Sequence, residues 1–308
     1  MKHAFLIIAH NNWNQLCQLI KAVDSEKCDF FIHVNSKIDF KKDTADKVKM
    51  SAQKSKVIFS ERVPITWGDF GICEASLVML RAAISSGGGY DYYHLLTGSD
   101  LLLKNIDDFD SFFEKNLYCN KDKNKKTNYI KVGLPNKKLA SRIYYYNFFI
   151  SFWRNPNSII RKIATLSNSI LGCIQKNLGI NRWRKVEMRL YHGSSWWSVS
   201  DEFAEYLLGK FEWIKVQFAM MTFAADEFVP QTVIMNSPFK NSIYVPTDDM
   251  DASLRLIDWK RGNGYGSPHI WRMEDKCKVT DSNNLIGRKF DEVVDKDIVD
   301  YILNKISK

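Results

Sequence analysis

The sequence predicts an α/β protein with a mixed central sheet flanked by helices, and three observations lead there. Short apolar runs of strand length recur through the first hundred residues. Between them lie stretches whose apolar positions follow helical spacing, and glycine clusters such as Gly87-Gly88-Gly89 punctuate the alternation.

Taken in order, Phe5 to Ala9 is apolar on both faces and reads as a buried first strand. The opening Met1 to His10 has too short an apolar core for a secretory signal. Asn14 to Val23 reads as a helix, Phe30 to Val34 as a second strand and Val57 to Phe59 as a third. Between Ile72 and Ala83 the apolar or small residues fall at 72, 75, 76, 79, 80 and 83, the stripe of a helix lying on a sheet. After the glycines, Tyr90 to Leu96 forms a strand ending in Thr97-Gly98-Ser99-Asp100. Ligands of open α/β sheets collect at such ends, so Asp100 is a candidate site residue as well as a candidate turn cap.

The lysine-rich stretch from Asn120 to Lys138 is weakly periodic and is expected to be a solvated loop. A basic aromatic segment follows, from Arg142 through Trp153-Arg154. It leads into a helix with Ile159, Ile163, Leu166, Ile170 and Cys173 on one face. Arg154, Arg161, Lys162, Lys176, Arg182, Arg184 and Lys185 surround that face. The commoner fate of such a stripe is packing into the core, and that is the expectation here; peripheral contact with an anionic membrane is the other reading. No internal repeat is visible.

A chain of 308 residues, 45% hydrophobic and 13% aromatic, can bury a full core in one large domain or two small ones. No apolar run reaches the roughly 18 residues that span a bilayer. Six cysteines lie far apart with no Cys-x-x-Cys, which indicates neither a zinc site nor a disulfide framework and suits a reducing cytoplasm. The formal charge of +9 calls for an anionic partner, whether a phosphorylated substrate, an acidic membrane surface or nucleic acid.

The acidic pair Asp226-Glu227 enters a hydrophobic, helix-like run that ends at Asn236-Ser237. Alone, such a pair complements a helix dipole; a carboxylate held there can also serve as a base. Three Asp-x-Asp strings occur, at 108–110, 249–251 and 295–297. They fall in a helix-like stretch, a polar loop and a C-terminal helix, away from the strand end where such a pair would hold a metal, so no metal ligands are assigned. Arg288-Lys289 alone reads as a surface basic pair, and Trp259 as a core aromatic.

Together, five segments resemble the core-2/I-branching N-acetylglucosaminyltransferase family, which includes the peptide O-xylosyltransferases. They are Ile32-His33-Val34-Asn35, Trp67-Gly68 before the helix at Ile72, Leu96-Thr97-Gly98-Ser99-Asp100, Gly193-Ser194-Ser195-Trp196-Trp197, and Asp226-Glu227 with Thr232-Val233 and Asn236-Ser237. Arg255 with Asp258-Trp259 and Ser267-Pro268, then Arg288-Lys289-Phe290-Asp291, extend the match almost to the C-terminus. The resemblance implies a GT-A-like nucleotide-diphospho-sugar transferase fold in one domain, 1–308. It divides into a nucleotide-binding half (1–119), a basic and aromatic insertion (120–190) and a catalytic and acceptor half (191–308). It further implies an inverting, metal-independent glycosyltransferase with Glu227 as base. Arg288, Lys289, Asp100 and Arg272 are then expected at the donor diphosphate, and Trp259 and Trp196 at the acceptor. No cofactor is expected. The UDP-sugar is a substrate, UDP-N-acetylglucosamine before UDP-xylose, and the acceptor is a hydroxyl of a surface glycan or lipid-linked glycan.

Two departures stand out. Asn35 replaces the family's aspartate after His33-Val34, and Ser195 stands where xylosyltransferase relatives carry an aspartate, leaving Glu227 as the evident base. The membrane anchor of Golgi members is not evident, so a cytoplasmic, bacterial-type enzyme is expected, peripheral at the inner face of the membrane. The rival classes are a nucleic-acid-binding module, for which no recognised motif appears, and a non-catalytic glycan-binding relative.

Overall fold

The computed structural model describes residues 1–119, 121–246, 250–264 and 266–307. The elements run β1 (His3–Ala9), α1 (Trp13–Val23), β2 (Cys28–Val34), α2 (Lys42–Lys49), β3 (Val57–Phe59), α3 (Gly71–Ser85), β4 (Tyr92–Thr97), β5 (Asp100–Leu102) and α4 (Ile106–Lys115). Then come β6 (Tyr118–Cys119), β7 (Asp122–Lys126), β8 (Tyr129–Gly133), α5 (Lys137–Tyr144), α6 (Ser158–Asn177), β9 (His192–Ser200), α7 (Asp201–Gly209), α8 (Phe211–Phe218) and α9 (Val229–Met235). The chain closes with β10 (Arg255–Ile257), α10 (Lys276–Thr280), β11 (Ile286–Arg288) and α11 (Lys296–Ile306).

Six strands form the central sheet in the order β3-β2-β1-β4-β9-β8. β3, β2, β1 and β4 are parallel, whereas β9 runs antiparallel to β4 and β8 antiparallel to β9. The expected mixed α/β architecture is therefore present. Period-two alternation along β1 explains why both faces must be covered: Ala4, Leu6 and Ile8 enter one core, and Phe5, Ile7 and Ala9 the other. α3, α7 and α9 close the first core, while α1, α4 and α11 close the second. A second sheet, β10-β11-β5, is small, but its register opposes Arg288 to Asp100 across the antiparallel β11·β5 pair.

Two expectations are corrected. The segment expected as a solvated loop contains β7 and β8, and β8 is the edge strand of the central sheet. In β8 Lys131 is exposed while Tyr129 and Ile130 are fully buried, so the charge around it conceals a strand. The other correction concerns α6, where the helix forms as its spacing predicts but the apolar stripe does not pack into the core. Ile159, Ile163, Leu166 and Ile170 are 66%, 60%, 62% and 53% exposed.

Candidate functional site

Glu227 lies in a short 3-10 turn, Ala225–Glu227, that delivers the chain into α9, with Pro230 in the first turn of that helix. Its carboxylate is one-third exposed and receives Arg142 Nη1 at 2.7 Å and meets His192 Nε2 at 3.2 Å. Both contacts use Oε2; among the described residues Oε1 has no partner. Charge-assisted bonds of this kind fix a carboxylate's orientation. Arg142 comes from α5 and His192 from the start of β9, so neither partner is a sequence neighbour of Glu227.

Asp226 occupies different surroundings. The half-buried Asp226 lines a small pocket with Cys73, Leu77, Leu95, Trp197 and Val229. Burial first, then the adjacent Glu227 charge, push it up to about 6, opposed by a hydrogen bond from Ser195. Ser195, the residue that departs from the xylosyltransferase pattern, is thus a partner of Asp226.

The second cluster stands where β11 meets β5. Asp100 is buried; its Oδ2 accepts from the Thr97 backbone N–H at 2.7 Å and its Oδ1 from Arg288 Nη1 at 2.7 Å. Arg288 Nη1 also reaches Thr97 Oγ1 at 2.6 Å, and the guanidinium lies 4.3 Å over the ring of Trp196. Arg288 Nε is buried without a partner among the described residues. The Lys289 ammonium makes no hydrogen bond or ion pair among the described residues. Desolvation and then the Arg288 charge hold its pKa below 10.5. His10, which follows β1 and keeps an exposed edge, is held below 6.5 by partial desolvation and then by the Lys289 and Arg288 charges. Asp100 balances Arg288, so Lys289 is left as the cation of this cluster without an ion pair among the described residues. The cluster's backbone is pinned by Trp271, whose N–H and Nε1–H donate to the carbonyls of Lys289 and Arg288, both at 2.9 Å.

An aromatic bridge joins the two clusters. Arg154, close enough to Lys289 to depress its pKa, stacks 3.8 Å over Trp67. Trp67 packs against Phe223 at 5.4 Å, and Phe223 carries the Arg142 guanidinium at 4.8 Å. The Trp67-Gly68 turn serves this bridge: Gly68 has φ +80°, and its carbonyl accepts from the Ala224 N–H at 2.8 Å. A Cβ there would stand 2.4 Å from the Phe223 ring, so only glycine fits. β9 links the clusters a second time, through His192 at Glu227, Ser195 at Asp226 and Trp196 under Arg288.

The remaining site residues expected from sequence are spread around this centre. Trp259 is 57% exposed beside Asp258, which Arg261 and Lys278 hold at 2.8 and 3.1 Å. Trp196, expected at the acceptor, is buried and supports Arg288. Arg272 is exposed, with its charge felt by Asp295 rather than by Lys289. Asn35 donates its amide N–H to Ile65 O at 2.9 Å and accepts from Ile65 N at 3.0 Å, a two-way bond an aspartate could not complete. Among the Asp-x-Asp strings, Asp110 is consumed by His3, Lys27 and the chain's amino terminus. Asp295 caps α11, and Asp249 lies outside the described residues. Arg142, His192, His10 and Arg154 were not singled out for this site from sequence.

The chain matches the Core-2/I-Branching enzyme family over residues 3–283. Among curated proteins it is similar to Xylosyltransferase 2 of Canis lupus familiaris, 21% identical over 97% of this chain and 33% of that protein. The chain thus spans about a third of the relative's length. Similar solved structures include mouse Xyloside xylosyltransferase 1, 9% identical, with a TM-score of 0.36 over 93% of this chain and 96% of that one. Another is the mannosyltransferase Ktr4p from S. cerevisiae in complex with GDP, 11% identical, with a TM-score of 0.35 over 75% and 65%. These overlaps are low, and the assignment rests on the family match over nearly the whole chain. The chain belongs to the Core-2/I-Branching enzyme family, the one its motifs resemble.

Proposed function

We propose that the protein is an inverting, metal-independent glycosyltransferase that moves N-acetylglucosamine, before xylose, from its UDP conjugate to a hydroxyl of a surface glycan or lipid-linked glycan. The observation that carries this reading is a carboxylate with one open oxygen, bridged by aromatics to a cationic cluster with unpaired donors among the described residues.

An in-line displacement needs a base for the acceptor proton and a cation for the departing diphosphate. Glu227 Oε1 is open to an acceptor hydroxyl, while Arg142 and His192 hold Oε2 and so aim the group. In the step proposed, Glu227 takes the hydroxyl proton as the acceptor oxygen bonds to the sugar's anomeric carbon. The carbon–oxygen bond to the diphosphate breaks on the opposite side, and its electron pair leaves with UDP. Lys289, which has no competing acceptor among the described residues, is the donor proposed for that leaving charge, with the Arg288 guanidinium beside it. Asp100 acts through Arg288 as a positioning residue rather than by touching the donor. Trp259 offers an exposed aromatic face of the kind that stacks on a sugar ring. The free thiols of Cys17, Cys28, Cys73, Cys173 and Cys277 support a reducing, cytoplasmic setting.

A thermal-shift panel of UDP-N-acetylglucosamine, UDP-xylose, GDP-mannose and a single-stranded RNA tests the donor class. UDP-sugars are expected to raise the melting temperature, since a ligand of the native state stabilises it by mass action. Stabilisation by RNA alone would replace this reading with nucleic-acid binding.

A further inference from the structure

We infer that α6 is an interfacial helix that seats the protein on an anionic lipid bilayer. α6 is amphipathic in the reverse sense for a soluble protein. Its polar or small residues face inward: Ala164 is buried, Asn168 Oδ1 accepts from Phe148 N at 2.7 Å, and the buried Gln175 bonds both N and O of Tyr146 at 2.8 and 3.0 Å. Ile159, Ile163, Leu166, Ile170 and Ile174 form an exposed apolar stripe on another side of the helix. The 20 residues of α6 extend about 30 Å, yet no helix among the described residues is long and apolar enough to cross a membrane. Such a helix can lie in the headgroup plane.

Charge decides the occupant. No aspartate or glutamate occurs between Asp122 and Glu187. Lys162 and Lys176 lie exposed on α6 beside the stripe, and Arg184 and Lys185 are exposed just beyond it. A face that is apolar at its centre, basic at its rim and free of acidic side chains along this whole segment matches anionic headgroups over acyl chains. A second copy of the same face would oppose like charges across the contact. Arg182 is excluded from this rim, because it is committed to Thr222 Oγ1 and Gln217 O, both at 3.2 Å. Arg154, from the segment leading into α6, stands on Trp67 at the proposed donor site, so the seated face adjoins that site. This last connection rests on the proposed function and identifies the lipid surface as the place where its acceptor is met; bilayer binding itself does not depend on it.

Co-sedimentation with vesicles tests the inference, using phosphatidylcholine alone and phosphatidylcholine containing phosphatidylglycerol. The full chain should bind the anionic vesicles, and binding should fall as salt rises from about 0.1 to about 0.5 M. Neutralising Lys162, Lys176, Arg184 and Lys185 to Gln should weaken binding at least about 10-fold. The triple change Ile163→Ser, Leu166→Ser and Ile170→Ser should do the same without lowering the melting temperature, because these side chains leave no core contact behind. Glu227→Gln protein should bind like wild type, which separates failure of this inference from failure of the catalytic reading. Three results would overturn it: no binding, equal binding to neutral vesicles, or binding untouched by both variants. Concentration-dependent dimers abolished by the serine variant would assign the face to a second copy instead.

Discussion

Replacing Asp226 by asparagine should change how stability responds to pH, by an amount that follows from the surroundings of the carboxyl. The folded protein raises this group from 3.8 to about 6, through burial and then through Glu227. Because the folded state holds the proton more tightly than the unfolded state, stability falls as pH rises through that interval and stays low above it. At about 1.4 kcal/mol per pH unit, ionised Asp226 costs the fold about 3 kcal/mol at pH 7.5 but only about 1 kcal/mol at pH 4.5. The Asp226→Asn variant carries no such cost, and its amide carbonyl can still accept from Ser195. Burial of the new amide adds an offset that does not vary with pH. The quantity to read is therefore the stability difference between variant and wild type, by urea unfolding at both pH values. It should shift in the variant's favour by about 2 kcal/mol on going from pH 4.5 to 7.5. Parallel pH dependences for the two proteins would refute the assignment of Asp226 to a desolvated pocket beside a charged Glu227.

Lys289→Ala should weaken UDP binding about 10- to 100-fold, the usual worth of a charged hydrogen bond, with the melting temperature unchanged. Titration calorimetry reads it, and unaltered affinity would return Lys289 to the open surface. UDP binding near pH 6.5 should take up protons, because partial desolvation and the Lys289 and Arg288 charges hold His10 below 6.5, and a bound diphosphate offsets those charges. Calorimetry in buffers of different ionisation enthalpy measures the uptake, which His10→Asn should abolish. Donor turnover should survive EDTA, as the proposed cationic leaving-group site requires; loss with rescue by manganese would replace that mechanism with a metal-assisted one.

Much of this was legible in the sequence for definite reasons. α1 and α3 could be read because their apolar residues repeat with the helical period, and β1, β2, β3 and β4 because they are short apolar runs of strand length. β8 could not, because its buried Tyr129 and Ile130 sit among lysines that face solvent. The stripe on α6 was visible, but periodicity records only that apolar residues share a face and says nothing of what that face meets. Candidate residues at fixed motif positions, such as Glu227 and Arg288, were identifiable from order and spacing. Their partners were not: Arg142 and His192 reach Glu227 from 85 and 35 residues away, and only the packing of α5 and β9 brings them there. In sequence Asn35 shows only as a departure from the family's aspartate, whereas its two-way bond to Ile65 shows a structural use for the amide.

The central claim is that Glu227 is the base of a sugar transfer whose donor is held elsewhere in the site. Rate measurement on Glu227→Gln, with UDP-sugar affinity determined on the same protein, tests it most directly. The account predicts transfer slowed about 10²- to 10⁴-fold with donor affinity within about twofold of wild type. Transfer at the wild-type rate, or donor affinity lost in step with activity, would contradict it.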